Sequence, residues 1–177
     1  GWQRHAASQL REQGLLTFSG VTGRAGLIEI ARQMMTIRPH RDAGPDGVTV
    51  ITQTRDDSSG YTGFTSAELV PHTDGTAVPD PPGLLLLACE QAADEGGSTR
   101  VLDGARAIGA LADQHPACLG ALSAPRAAFF GAAGAYFGAP LEAAGPGRMR
   151  IRIRLDELAW FSTQAAEAIA ASELIVA

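Results

Sequence analysis

The feature that most constrains the fold is a run of six apolar residues, Leu84-Leu85-Leu86-Leu87-Ala88-Cys89, bracketed by two turn signals. Asp80-Pro81-Pro82-Gly83 precedes it and Asp94-Glu95-Gly96-Gly97 follows it. Proline lacks a backbone donor and glycine tolerates positive φ, so such clusters interrupt regular elements. Six residues suit a strand better than a helix, and unbroken apolarity calls for cover on both faces. The run therefore reads as a buried strand in the middle of the chain, with Cys89 as a buried thiol.

The rest of the chain is read around that strand. Trp2 to Gln13 has helical character and Gly14 ends it. Leu15 to Phe18 reads as a short strand. Thr22 stands where a helix cap belongs, and Leu27, Ile30, Ala31, Met34 and Met35 then recur at helical spacing. Those methionines read as core filler, and Pro39 marks the stop. Asp42 to Gly47 is turn-rich. Val48 to Thr54 reads as a strand covered on both sides, and Arg55 to Thr62 as a polar loop. Thr99 to Leu102 reads as a further strand, and Ala105 to Gln114 as a helix before Pro116. The Ala- and Gly-rich region from Gly131 to Gly147 gives no clear element. Met149, Ile151, Ile153 and Leu155 alternate with Arg150, Arg152 and Arg154, which predicts a strand with a solvated arginine face. Thr163 opens a last helix expected to reach Ala177.

Helices thus flank a strand-rich middle. The expected fold class is α+β, mainly β and antiparallel, in a single domain over residues 1–177. A helix-strand-helix segment, 1–47, would lead into a β core starting at 48.

Composition excludes some partners. The chain has 177 residues, 45% of them hydrophobic, which suffices for a real core, and a formal net charge of −5. An acidic chain is a poor match for nucleic acid or an anionic membrane, since phosphate binding needs a basic surface. All 14 basic residues are arginine. Two cysteines, Cys89 and Cys118, form neither a disulfide framework nor a zinc knuckle. With no leader-like segment and no apolar run near the roughly 20 residues of a membrane span, a reducing cytoplasm is the expected location.

The chemistry concentrates in Val70-Pro71-His72-Thr73-Asp74-Gly75. On a strand, residues i and i+2 point to one face, about 6.6 Å apart along the chain. An imidazole and a carboxylate so placed converge on one ion. With a second imidazole they make the facial triad of mononuclear Fe(II) oxygenases, which leaves coordination positions free for substrates. Gly75 lets the backbone turn close beside them.

The order His72-X-Asp74, Pro82-Gly83-Leu84-Leu85-Leu86, Gly96-Gly97-Ser98-Thr99 and Asp103-Gly104 resembles the Fe(II)- and 2-oxoglutarate-dependent dioxygenases of the taurine dioxygenase and clavaminate synthase-like family. The opening helix and Gly14-Leu15-Leu16-Thr17-Phe18-Ser19-Gly20-Val21 resemble that family's start. The resemblance implies a double-stranded β-helix, or distorted jelly roll, with flanking helices. It implies Fe(II) on His72 and Asp74, and 2-oxoglutarate as cosubstrate with a carboxylate accepting from the Thr99 hydroxyl. It implies a small-molecule substrate, such as an amino acid or natural-product intermediate, oxidised with O2. Gln53 and Phe64 fall where the family shapes its substrate pocket. Related halogenases replace the carboxylate with a small residue, so Asp74 points to hydroxylation rather than halogenation.

The family also implies a distal histidine as third ligand and a following arginine that pairs with the far carboxylate of 2-oxoglutarate. Neither is found by pattern. His5 and His40 precede the motif and read as exposed, and His115 reads as a helix-end residue before Pro116. Arg150, Arg152 and Arg154 read as a solvated face rather than a carboxylate clamp. The β-helix is therefore expected to be incomplete at the C-terminus, with strand edges that pair with a second copy or a complementing chain. The alternative to an oxygenase is a degenerate or split dioxygenase-like scaffold acting as a binding or assembly subunit. A third reading is a cupin-like metal enzyme that does not use 2-oxoglutarate.

Overall fold

The computed structural model describes residues 1–55, 62–131 and 134–172. The chain divides into two compact units, Gly1–Gln53 with Gly83–Val101, and Thr54–Pro82 with Leu102–Ala177.

In the first unit, α1 (Trp2–Gln13) ends where Gly14 takes the left-handed conformation, φ 71°, and its N–H reaches Leu10 O. Trp2 packs edge-on against Phe18, ring centroids 5.8 Å apart. Helix α2 (Gly23–Met34) starts after Thr22, whose side chain makes no capping bond. Ala31 is buried, and Leu27, Ile30, Met34 and Met35 are half-buried, as the helical spacing predicts. The helix stops at Met34, before Pro39, because Met35 is already extended. Arg24 on α2 grips Asp46 with both arms of its guanidinium, one bond being 2.6 Å, and so ties the 42–47 loop to the helix.

Four expected strands are absent from this picture. Residues 15–18, 48–54, 84–89 and 99–102 lie outside regular secondary structure. Leu85, Leu87, Ile51 and Val101 are each more than half exposed, and Cys89 is exposed. The reason is mutual. An apolar run becomes a buried strand only when other strands pair with its edges, and 48–54 and 99–102, the expected strands nearest to it in sequence, form no ladder either. The loop expected over Arg55 to Thr62 falls largely on 56–61, outside the described residues.

The second unit carries the ordered core. Asp103 caps α3 (Gly104–Gln114), its carboxylate accepting from Ala105 N at 2.9 Å and Arg106 N at 3.3 Å. His115 is the exposed junction to α4 (Pro116–Ser123), with Pro116 in the first turn where its missing N–H costs nothing. Strand β1 (Ala128–Gly131) pairs antiparallel with β2 (Ala135–Gly138) on one side and β5 (Ala159–Phe161) on the other. Strands β3 (Leu141–Ala143) and β4 (Met149–Ile151) form a separate antiparallel pair. Ser162 then caps α5 (Thr163–Ala171), which ends at Ser172; residues 173–177 lie outside the described set.

Leu111 of α3, Leu122 of α4, Leu141 of β3 and Ala165 and Ala168 of α5 form one buried cluster. Phe130 of β1, fully buried, centres a second with Ala77 and Ala128. On the opposite face of the three-stranded sheet the register aligns Phe129 with Phe137 and Trp160, at ring separations of 4.8 and 5.1 Å.

Helix outweighs strand among the described residues, so the mixed α+β class holds while the mainly-β expectation does not. The described strands form two small antiparallel sheets, and these do not close into a double-stranded β-helix. No helix among the described residues is long and apolar enough to cross a membrane.

Candidate metal centre

His72 and Asp74 lie in the second unit, at the start of a turn rather than within a strand. Gly75 makes the reversal, with φ 67°. A Cβ placed there would come within 2.7 Å of Pro82 Cδ and 3.2 Å of Pro81 Cβ, so the turn admits only glycine without strain. Val78 N closes it on Gly75 O at 3.2 Å.

Between the two candidate ligands, Thr73 faces the protein. Its N–H donates to Ile153 O at 2.8 Å, and its Oγ1 accepts from Ile153 N at 3.1 Å. Thr73 is thereby held like a strand residue although no ladder continues on either side. His72 and Asp74 flank it and project to solvent, with side chains 37% and 50% exposed.

The imidazole is oriented by its own backbone. His72 Nδ1 lies 2.8 Å from Val70 O. A carbonyl only accepts, so Nδ1 carries the proton and Nε2 presents its lone pair. Metal-bound histidines characteristically donate their second ring N–H in this way, which fixes tautomer and ring plane. Nε2 stands 3.8 Å from Asp74 Oδ1. Two coordinate bonds of about 2.1 Å at the near-right angle of a facial site separate their donor atoms by about 3.0 Å, so the pair must close by somewhat under about 1 Å to share an ion in that geometry.

Behind the pair lies residue 152, and here the sequence expectation is corrected. Arg152 is not on a solvated face: its side chain is 1% exposed. Its Nη1 donates to Thr76 O at 3.2 Å and Val78 O at 2.6 Å, its Nη2 to Pro79 O at 2.6 Å and its Nε to Glu142 Oε2 at 3.2 Å. The Tyr136 ring covers it, 3.9 Å from Cζ, while the Tyr136 hydroxyl donates to Glu142. Burial pushes the Glu142 carboxyl up, but hydrogen bonds from Tyr136 and Arg152 and the Arg152 charge outweigh it and hold it below its ordinary range. Arg154 is likewise paired, with Asp156. Burial raises the Asp156 carboxyl; the Arg154 hydrogen bond, the Leu158 N–H and the Arg154 charge outweigh it and leave it lowered.

The other sequence candidates are scattered. Thr99 and Gln53 are exposed and belong to the first unit. Phe64 belongs to the second; it is half-buried beneath the Arg55 guanidinium, at 5.3 Å, and its carbonyl accepts from Thr54 N and Arg55 N. His5, His40 and His115 are exposed. Among the described residues no three His, Cys, Asp or Glu side chains group to hold an ion.

A family model, Taurine catabolism dioxygenase TauD, TfdA family, matches residues 2–158. The chain belongs to this family. Members of the TauD/TfdA family are non-haem dioxygenases that use Fe(II) and 2-oxoglutarate with O2 on small molecules. No curated protein and no solved structure matches the chain. The imidazole and carboxylate described above are the donor types Fe(II) takes in such enzymes.

Pattern reasoning missed Thr73, Arg152 and Glu142. The place of Thr73 between the two candidate ligands was a signal for an inward-facing anchor, since on extended backbone its side chain opposes theirs. Nothing in the alternation at 149–155 marked Arg152 as buried.

Proposed function

We propose that the chain is a non-haem Fe(II)- and 2-oxoglutarate-dependent oxygenase in which His72 Nε2 and Asp74 bind the iron. The observation that carries this is the Val70 carbonyl on His72 Nδ1, which turns the free nitrogen toward the Asp74 carboxylate at 3.8 Å. When bound, Fe(II) with 2-oxoglutarate supplies oxidising power from O2, with succinate and CO2 as coproducts. The chain's own residues orient that chemistry. His72 keeps one tautomer, Asp74 contributes negative charge that suits a divalent ion, and Gly75 turns the backbone away. Thr99 is the candidate donor to a 2-oxoglutarate carboxylate, and Gln53 and Phe64 are candidate substrate contacts. The retained carboxylate of Asp74 supports hydroxylation rather than halogenation of an amino acid or natural-product intermediate. The third ligand of a facial triad, a histidine, is none of His5, His40 and His115, which are exposed and do not group with the pair, and is assigned to a complementing chain.

The test is 2-oxoglutarate-dependent succinate release under O2, with Fe(II), for the wild type, His72→Ala and Asp74→Ala. Loss in both variants supports the reading, and equal turnover in all three sinks it. A wild type that binds Fe(II) anaerobically neither at His72 nor at Asp74 leaves the binding-scaffold alternative.

A further inference from the structure

We infer that Arg152 and Thr73 are positioning residues that set the geometry of the His72–Asp74 pair; this rests on the metal reading proposed above. Consecutive residues, 152 and 153, grip the motif on both sides of Asp74. Ile153 takes Thr73 by two hydrogen bonds, one to its backbone and one to its side chain. Arg152 takes the carbonyls of Thr76, Val78 and Pro79, which begin two residues beyond Asp74. Between these grips lies only Asp74-Gly75, and Gly75 is packed against Pro81 and Pro82. The placement of both ligand side chains therefore depends on how residues 152 and 153 sit.

The chemistry of Arg152 argues for more than packing. A guanidinium almost fully removed from water is costly unless its N–H groups and charge are matched. Here four N–H···O bonds and the Glu142 carboxylate match it, and three of the four bonds go to a single stretch of backbone. The planar fork reaches carbonyls diverging over four residues, which an ammonium on a flexible stem cannot do as one rigid unit. An aliphatic side chain would fill the volume but leave those carbonyls without donors. Thr73 makes the same point on a smaller scale, because valine would keep its shape and its backbone bond while removing the Oγ1 acceptor.

The experiment is anaerobic Co(II) titration of the metal-free full chain, read by d–d absorption, alongside urea unfolding of each variant. Wild-type binding that is lost in His72→Ala establishes the site. Arg152→Lys and Thr73→Val are then expected to weaken Co(II) binding by about 10- to 100-fold, the usual effect of removing a group that orients a ligand, and to change the absorption envelope. Thr73→Ser, which keeps the acceptor, is expected to retain wild-type affinity and spectrum. If Arg152→Lys does not fold, the Thr73→Val and Thr73→Ser pair decides alone. Variants that unfold earlier in urea but bind Co(II) with wild-type affinity and spectrum overturn the positioning role and leave the metal reading intact. A wild type that binds no Co(II) overturns both.

Discussion

Thr73 and Ile153, eighty positions apart in sequence, exchange two hydrogen bonds of 2.8 and 3.1 Å, and one of them uses a side chain where a ladder would use a carbonyl. That substitution lets the chain leave the pairing at once. Asp74 is already in a turn, so the two candidate ligands project from a point of attachment rather than from a strand.

The turn itself gives the first prediction. Gly75→Ala must hold a side chain at φ 67° and place its Cβ against Pro82. Left-handed backbone costs a non-glycine residue about 1–2 kcal/mol, and the overlap adds to it. A loss of about 2–3 kcal/mol in urea unfolding is expected, with weaker metal binding. An unchanged midpoint would mean that the turn relaxes freely.

Local signals in the sequence carried four of the five described helices, while α4, which begins at Pro116, was not anticipated. The limits of α1, the Gly14 stop, the Asp103 region before α3 and the Ser162–Thr163 start of α5 are all written in neighbouring residues. Strands depend on partners far along the chain, which is why Leu84 to Cys89 looked like a buried strand and is not one. Strands β1 and β5 were not anticipated, and β2 and β3 were hidden in an Ala- and Gly-rich stretch with little periodicity. His72 and Asp74 stand out in the sequence because their spacing suits a shared ion, although they sit at a turn and not on the expected strand. Arg152 was not, since what buries it is backbone 73 to 76 positions upstream.

Asp46 titrates in an unusual range. The Arg24 hydrogen bond, partly opposed by desolvation and aided by the Val48 N–H and the Arg24 charge, lowers its carboxyl to about 2. A depressed carboxylate contributes stability that is present above its unfolded value, about 3.9, and lost as pH falls toward 2. Carbon-13 NMR of the Asp46 carboxyl is expected to give a midpoint near 2. In Arg24→Met the midpoint should return toward about 4. A wild-type midpoint near 4 would mean that the pair is broken in solution.

Asp103 caps α3, its carboxylate accepting from two N–H groups of the first turn. Asp103→Ala leaves both without that acceptor and is expected to cost about 0.5–2 kcal/mol. Asp103→Ser keeps a capping oxygen and should recover most of the loss. Urea midpoints of the three proteins check this; equal destabilisation by Ala and Ser would place the role of Asp103 elsewhere.

Glu142 tests the buried end of the network. It receives the Arg152 Nε–H and the Tyr136 hydroxyl, and its charge balances the guanidinium at close range. Glu142→Gln keeps an acceptor for one donor but removes that charge, so a loss of about 1–3 kcal/mol is expected at neutral pH. The sign with pH follows from its lowered carboxyl. The wild type's advantage is fully present above the unfolded glutamate value, about 4.3, and shrinks as pH falls through the lower folded value. Urea unfolding of both proteins between neutral pH and pH ~3 should therefore converge at the acid end. Because Arg152 also holds the carbonyls that follow Asp74, Glu142→Gln is further expected to weaken Co(II) binding less than Arg152→Lys does. The reverse order would mean that the carboxylate, rather than the guanidinium, anchors the His72–Asp74 turn.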